Sequence, residues 1–227
     1  MMKKVYLLAM LAILALAVTS CSDDNNPTAP DANAQVMVVH ASPNAPAVDL
    51  LVDNMLAGSG LAFPGNTTYL KVDAGTRNVK VNVAGTSTSV INADLQLAAN
   101  TNYTVFAVDS VSNISTVVLT DDLTAPASGK AHVRFVHLSP NAPAVNITLT
   151  DGTIVFGNRA FKQSTDFTPL DAGTYDLQVR DAATNSAVVL SLNNIALTAG
   201  KIYTVFAKGF LGGSGSQALG AQIIENN

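Results

Sequence analysis

In several stretches after about Ala34, hydrophobic residues recur at every second position. Val79, Val81 and Val83 alternate with Asn78, Lys80 and Asn82; Tyr175, Leu177 and Val179 alternate with Asp176, Gln178 and Arg180. Val145, Ile147 and Leu149 alternate in the same way with Asn146, Thr148 and Thr150. A period of two predicts strands with one face in a core and the other in water. No window after Val18 carries a helical stripe, and Gly, Pro and Asn turns divide each half into about seven strands, which favours two packed sheets.

The pattern is written twice. Val39-His40-Ala41-Ser42-Pro43-Asn44-Ala45-Pro46-Ala47-Val48 recurs as Val136-His137-Leu138-Ser139-Pro140-Asn141-Ala142-Pro143-Ala144-Val145. Asp73-Ala74-Gly75-Thr76 returns as Asp171-Ala172-Gly173-Thr174, and Tyr103-Thr104-Val105-Phe106-Ala107 as Tyr203-Thr204-Val205-Phe206-Ala207. Three blocks in one order, spaced by loops of slightly different length, mean duplication. Each unit is too long for a solenoid repeat and suits a small sandwich. The stretch between the copies, residues 121–130, is polar with Pro and Gly and reads as a short linker. Each copy is therefore expected to fold alone, with only a small contact between them; exchange of an edge strand is the competing arrangement.

Before the repeats, Met1-Met2-Lys3-Lys4 is a short positive segment and Val5 to Val18 an apolar run. The run falls short of the about 20 residues a spanning helix needs, so it reads as the core of a signal peptide. It ends in Val18-Thr19-Ser20-Cys21, which resembles the lipobox of bacterial lipoprotein precursors, and Cys21 is the only cysteine in the chain. That resemblance implies cleavage before Cys21, lipid attachment to it, and a membrane as partner. Ser22 to Pro30 has almost nothing to bury and reads as a tether. Its Asp23 and Asp24 resemble the surface-export signal of Bacteroidetes-type lipoproteins; a generic spacer is the alternative.

The expected fold class is all-β: two tandem immunoglobulin-like or fibronectin-like antiparallel β-sandwiches after a cleaved signal peptide. The expected organisation is signal peptide 1–20, tether 21–34, repeat 35–120, linker 121–130 and repeat 131–227. Leu197-Thr198-Ala199-Gly200-Lys201-Ile202-Tyr203, with Leu97-Ala98-Ala99-Asn100-Thr101-Asn102-Tyr103 as its first copy, resembles the tyrosine corner of such sandwiches. Gly200 and Asn100 are the residue types that best tolerate a left-handed backbone. Phe106 and Phe206, in the most hydrophobic strand of each copy, are expected in the core.

Composition narrows the function classes. Of 227 residues 48% are hydrophobic and 12% charged, with net charge −4 and no long run of like charges, so there is no electrostatic footprint for nucleic acid. A lone cysteine cannot staple a secreted fold. The absence of Trp weakens a carbohydrate-stacking reading. No zinc spacing or carboxylate pair for glycoside chemistry stands out, and Asp109, Asp121 and Asp122 match no ordered calcium loop. No cofactor or metal is expected.

The succession His-x-Ser-Pro-x-Ala-Pro-Ala-Val, an extended Asp-containing strand, and Leu-x-Ala-Gly-x-x-Tyr-Thr-Val-Phe-Ala resembles a bacterial and archaeal family of unknown function. Its domains occur singly or in tandem in secreted, often lipid-anchored, envelope proteins. The resemblance covers about 36–120 and 132–225; Asn44 and Asn141 stand where Asp is common, and Asn146 stands where the first copy keeps Asp49. It implies fold and compartment and no established activity.

His40, Ser42, Pro43 and Asn44, with His137, Ser139, Pro140 and Asn141, form two stiff loops that are the candidate ligand or partner contacts. Parity puts His40 on the face of Val36 and Val38, and His137 on that of Val133 and Phe135, where a histidine most often anchors its own turn. Nothing like a nucleophile elbow surrounds Ser42 or Ser139. The expectation is a non-enzymatic outer-membrane lipoprotein, displayed as a binding or spacer module for an envelope or extracellular protein or glycan. An envelope hydrolase or metal-dependent enzyme using His40 or His137 is the alternative.

Overall fold

The computed structural model describes residues 32–227; the expected signal peptide, Cys21 and nearly all of the expected tether lie outside the described residues. The first repeat runs β1 (Asn33–His40), β2 (Val48–Val52), β3 (Met55–Leu61), β4 (Leu70–Asp73), β5 (Gly75–Val83), β6 (Ser89–Leu97), β7 (Asn102–Val108) and β8 (Ser115–Asp121). The second runs β9 (Lys130–His137), β10 (Val145–Leu149), β11 (Ile154–Arg159), β12 (Thr168–Asp171), β13 (Gly173–Asp181), β14 (Val188–Leu197), β15 (Ile202–Lys208) and β16 (Gly220–Glu225). The expected tether therefore ends earlier than Ala34, because Asn33 and Ala34 already pair with Asp73 and Val72.

Among the described residues each repeat has eight strands rather than about seven. The additional one is the short β4 or β12, separated from the next strand by a single residue, Ala74 or Ala172. There the chain changes sheets, and Gly75 takes φ +102°, a conformation L side chains rarely adopt. The Asp-Ala-Gly-Thr block is this corner.

The sheets are β4-β1-β7-β8 against β3-β2-β5-β6, and β12-β9-β15-β16 against β11-β10-β13-β14. Their strand pairings are antiparallel except β1 with β7 and β9 with β15, which run parallel. Each of these sheets draws its strands from one repeat, so no strand is exchanged among the described residues. The tandem sandwich fold holds. Val36, Val38, Leu50, Val79, Val81 and Val105 fill the first sandwich. Val133, Phe135, Ile147, Leu177, Val179 and Val205 fill the second. The strict alternation has exceptions: Asn146 and Thr148 of β10 are buried rather than facing water. Asn146 is consumed there, accepting from the Asn158 amide at 2.7 Å and donating to Asn185 at 3.0 Å.

A third core changes the domain picture. Met37, Val39 and Phe106 point away from the first sandwich, Val136, Phe206 and Ile224 away from the second, and they pack together. The two inner sheets thus lie face to face, giving four layers with buried side chains between each adjacent pair. The expectation of two beads with a small contact is overturned: residues 31–227 form one compact unit. The physical reason is that the β1, β7, β9 and β15 strands are apolar on both faces and must be covered on both.

Phe106 and Phe206 are fully buried as expected, but at this seam rather than inside their own sandwiches. Their rings meet edge to face, 5.8 Å apart at 70°.

Candidate functional site

The loop between β1 and β2 is held by its own motif. His40 Nε2 donates to the Pro46 carbonyl at 3.0 Å, and the Ser42 amide reaches His40 Nδ1 at 3.4 Å. His137 does the same with Pro143 at 2.9 Å and Ser139 at 3.3 Å. Both histidines are buried, with one nitrogen a donor and the other an acceptor, which is the neutral tautomer. Their spacing to the prolines fixes the span of each loop. They anchor turns, as expected of them.

Burial lowers the affinity of both imidazoles for a proton, against the opposing pull of the Pro46 and Pro143 carbonyls. A folded value below the ordinary 6.5 means that the unfolded chain takes up protons first. Their contribution is therefore complete above about pH 6.5 and is lost as pH falls below it. The urea midpoint is expected to drop between about pH 7.5 and pH 5, and to drop clearly less in the H40Q/H137Q double variant. An equal drop in both proteins would contradict this account of the loops.

The remaining candidate residues divide by exposure. Ser42 is buried and donates to the Asp109 carbonyl at 2.6 Å. Ser139 is equally buried, with no partner for its hydroxyl. Pro43 is buried and Pro140 half-buried, whereas Asn44 and Asn141 are exposed. Asn44 accepts from the Val111 amide at 2.8 Å. Asn141 accepts from the Leu211 amide at 2.8 Å and donates to the Leu211 carbonyl at 3.0 Å. Each asparagine thus clamps its loop to the one following β7 or β15. What stays exposed is a surface of Asn44, Pro46 and Val111 and its counterpart of Asn141, Pro143 and Leu211.

Two further motifs prove structural. Tyr103 accepts from the Ala98 amide at 3.1 Å and Tyr203 from the Thr198 amide at 3.3 Å, so the tyrosine corner is formed twice. Asn100 and Gly200 are left-handed as expected, at φ 56° and 81°. Asp49 ties the Gly60 and Gly85 amides, at 2.8 Å each, and those bonds hold its carboxyl below the usual range.

The two loop pairs lie at one end of the molecule. Lys208, at the end of β15, sits 5.4 Å over the Phe63 ring, which itself packs on His40. Lys162, whose amide bonds the His137 carbonyl, approaches Asp109 at 3.8 Å. Farther from that end, Asn226, beside Ile202 at the start of β15, donates to the Tyr69 hydroxyl at 3.1 Å. The strands of the two facing inner sheets therefore run in the same sense.

Between these ends the seam holds a polar network that sequence reasoning missed. Arg134, in the matching place to Met37, lies 2.6 Å from Asp121, and the two side chains are 2% and 0% exposed. The guanidinium also donates to Thr204 at 2.8 Å and to Thr104 at 3.0 Å, and stacks on Phe167 at 4.5 Å. Thr104 and Tyr69 donate to Asp121 at 2.7 and 2.5 Å. In the second repeat the partner of Thr204 is Asn226 instead, at 2.7 Å. Burial pulls the Arg134 guanidinium below its ordinary value while Asp121 holds it up; burial, then the Asp121 charge, pushes the Tyr69 phenol far up. Asp121, expected in a solvated linker, is thus the buried end of β8. An arginine inside the otherwise apolar end of β9 was the signal for it.

A groove of about 420 Å³ opens beside this network, lined among others by Thr120, Asp122, Arg134, Thr165 and Phe167. Its cation is already spent on Asp121. Among the described residues no three of His, Cys, Asp or Glu converge on a point that could hold a metal ion.

The sequence model of one family, described as a domain of unknown function (DUF4397), matches residues 34–148 and again 148–227. The boundary at 148 falls inside β10, so the first match includes the second His-Ser-Pro loop. No curated protein matches the chain.

Proposed function

The chain belongs to the DUF4397 family, and on that footing we propose that it is a non-enzymatic, lipid-anchored protein of the bacterial outer membrane, displayed as a binding or spacer module. The observation that carries the reading is the placement of both His-Ser-Pro loops at one end of a single body, with the chain entering at Asn33 at the other. A lipid on Cys21 then holds the entry end toward the membrane and presents the paired loops outward. Acyl chains add about 0.8 kcal/mol per buried CH₂, so two or three of them anchor firmly. The partner class is an envelope or extracellular protein or glycan, met by a preformed surface with little ordering left to lose. The histidines and Ser42 support this reading over catalysis, because their polar atoms are committed to loop backbone.

Cys21→Ser is expected to abolish lipid labelling and move the protein from the membrane fraction to the soluble one. A wild-type protein that carries no lipid label in a host with lipoprotein processing would overturn the anchor.

A further inference from the structure

The three most exposed large apolar side chains among the described residues are Met55 at 76%, Leu56 at 64% and Ile154 at 52%. They sit at matching places, where β3 and β11 leave the hairpins that follow β2 and β10. Both hairpin tips lie at the end where the chain enters. Val52 and Met55 close the first hairpin, and Leu56 shares a surface depression with Lys71 and Asp73, the latter paired with Asn33. The same end of the second repeat carries Ile154, because the strands of the two facing inner sheets run in the same sense. At the far end the corresponding exposed residues, Val111 and Leu211, are better covered, at 38% and 42%.

Isolated exposed leucines are common, but here the most exposed apolar groups of both repeats stand at the same end, one set on each outer sheet. Lys80 bonds Asn54 at the first tip, 2.6 Å away, and Lys71 lines the depression beside Leu56. Asp53, in the turn of the first tip, is paired with Arg77 at 3.2 Å, and the long basic side chains beside Met55 and Leu56 suit a bilayer interface, where apolar groups enter and ammonium heads stay at headgroup level.

We propose that the tips bearing Met55, Leu56 and Ile154 are a membrane-contact face that seats the folded unit on the lipid surface. The inference rests on the reading of Cys21 as the anchor. The stretch from Cys21 to Asn33, at about 3.3–3.6 Å per residue, reaches at most about 40 Å, which keeps the entry end within contact range of the bilayer. With the face seated, the outward loops are held at a set orientation to the lipid surface.

The chain has no Trp and one Cys, which makes a clean test. Residues 21–227 are coupled through Cys21 to a maleimide-bearing lipid in phosphatidylcholine vesicles, so attachment does not depend on bacterial processing. Single reporters Leu56→Trp and Ile154→Trp mark the tips, and Leu211→Trp marks the far end. On vesicles with brominated acyl chains, the two tip reporters are expected to shift to the blue and lose more than half their emission, while Leu211→Trp keeps its own. Unquenched tip reporters, or equal quenching at the far end, would overturn the proposal and leave acylation of Cys21 untouched. Blue-shifted tip reporters in a sedimenting dimer without vesicles would overturn it in favour of a second copy of the chain as occupant.

Discussion

Arg134→Met, which installs the residue that the first repeat carries at the matching position, is expected to cost about 3–5 kcal/mol in urea unfolding. The loss does not come from a bond of that strength. It comes from Asp121, left as an uncompensated charge with a fully buried side chain. Asp121→Asn strands the guanidinium in turn and is expected to destabilise as well. The double variant R134M/D121N leaves neither charge, and its Met is the residue that the first repeat already carries in the seam at Met37. It is expected to regain most of the stability lost in either single variant. A buried pair is shielded from counterions, so these effects are expected to survive high salt. Two additive single losses would mean that the charges do not act as a pair.

Phe206→Ala, and equally Phe106→Ala, is expected to cost about 3–5 kcal/mol through lost burial and the cavity left behind. Against the roughly 5–15 kcal/mol of a whole domain, that is a large share. Because the two rings pack on each other, the double variant is expected to cost less than the sum of the single ones. A shift within error for either single variant would show that the seam relaxes around the gap.

Much of the architecture was legible from local pattern. The alternation in β5 and β13 marked the outer sheets, and the repeated blocks marked the duplication. The parity of His40 and His137 marked the loop anchors, and the spacing from Leu97 to Tyr103 marked the tyrosine corners. What escaped were properties of two surfaces that meet only after folding. Residues 36–39 and 105–108 are apolar without alternation, which is the mark of a strand covered on both faces; within one repeat, only one of those covers is present. Asp121 reads as solvated because Asp122 and Pro126 follow it, although β8 does not end until Asp121 itself. The exposed tips at Leu56 and Ile154 carry no signal in sequence, since an apolar residue beside a turn looks the same whether it folds inward or projects.

If the seam makes one body of the two repeats, a lesion on one side must be felt on the other. The decisive measurement is hydrogen exchange of Phe206→Ala in rising urea, followed separately for peptides of β5 in the first repeat and β13 in the second. Loss of protection in both at one common, lowered midpoint is the result expected of a shared core. Loss confined to the second repeat, with β5 unfolding at its wild-type midpoint, would contradict it and restore two independent sandwiches.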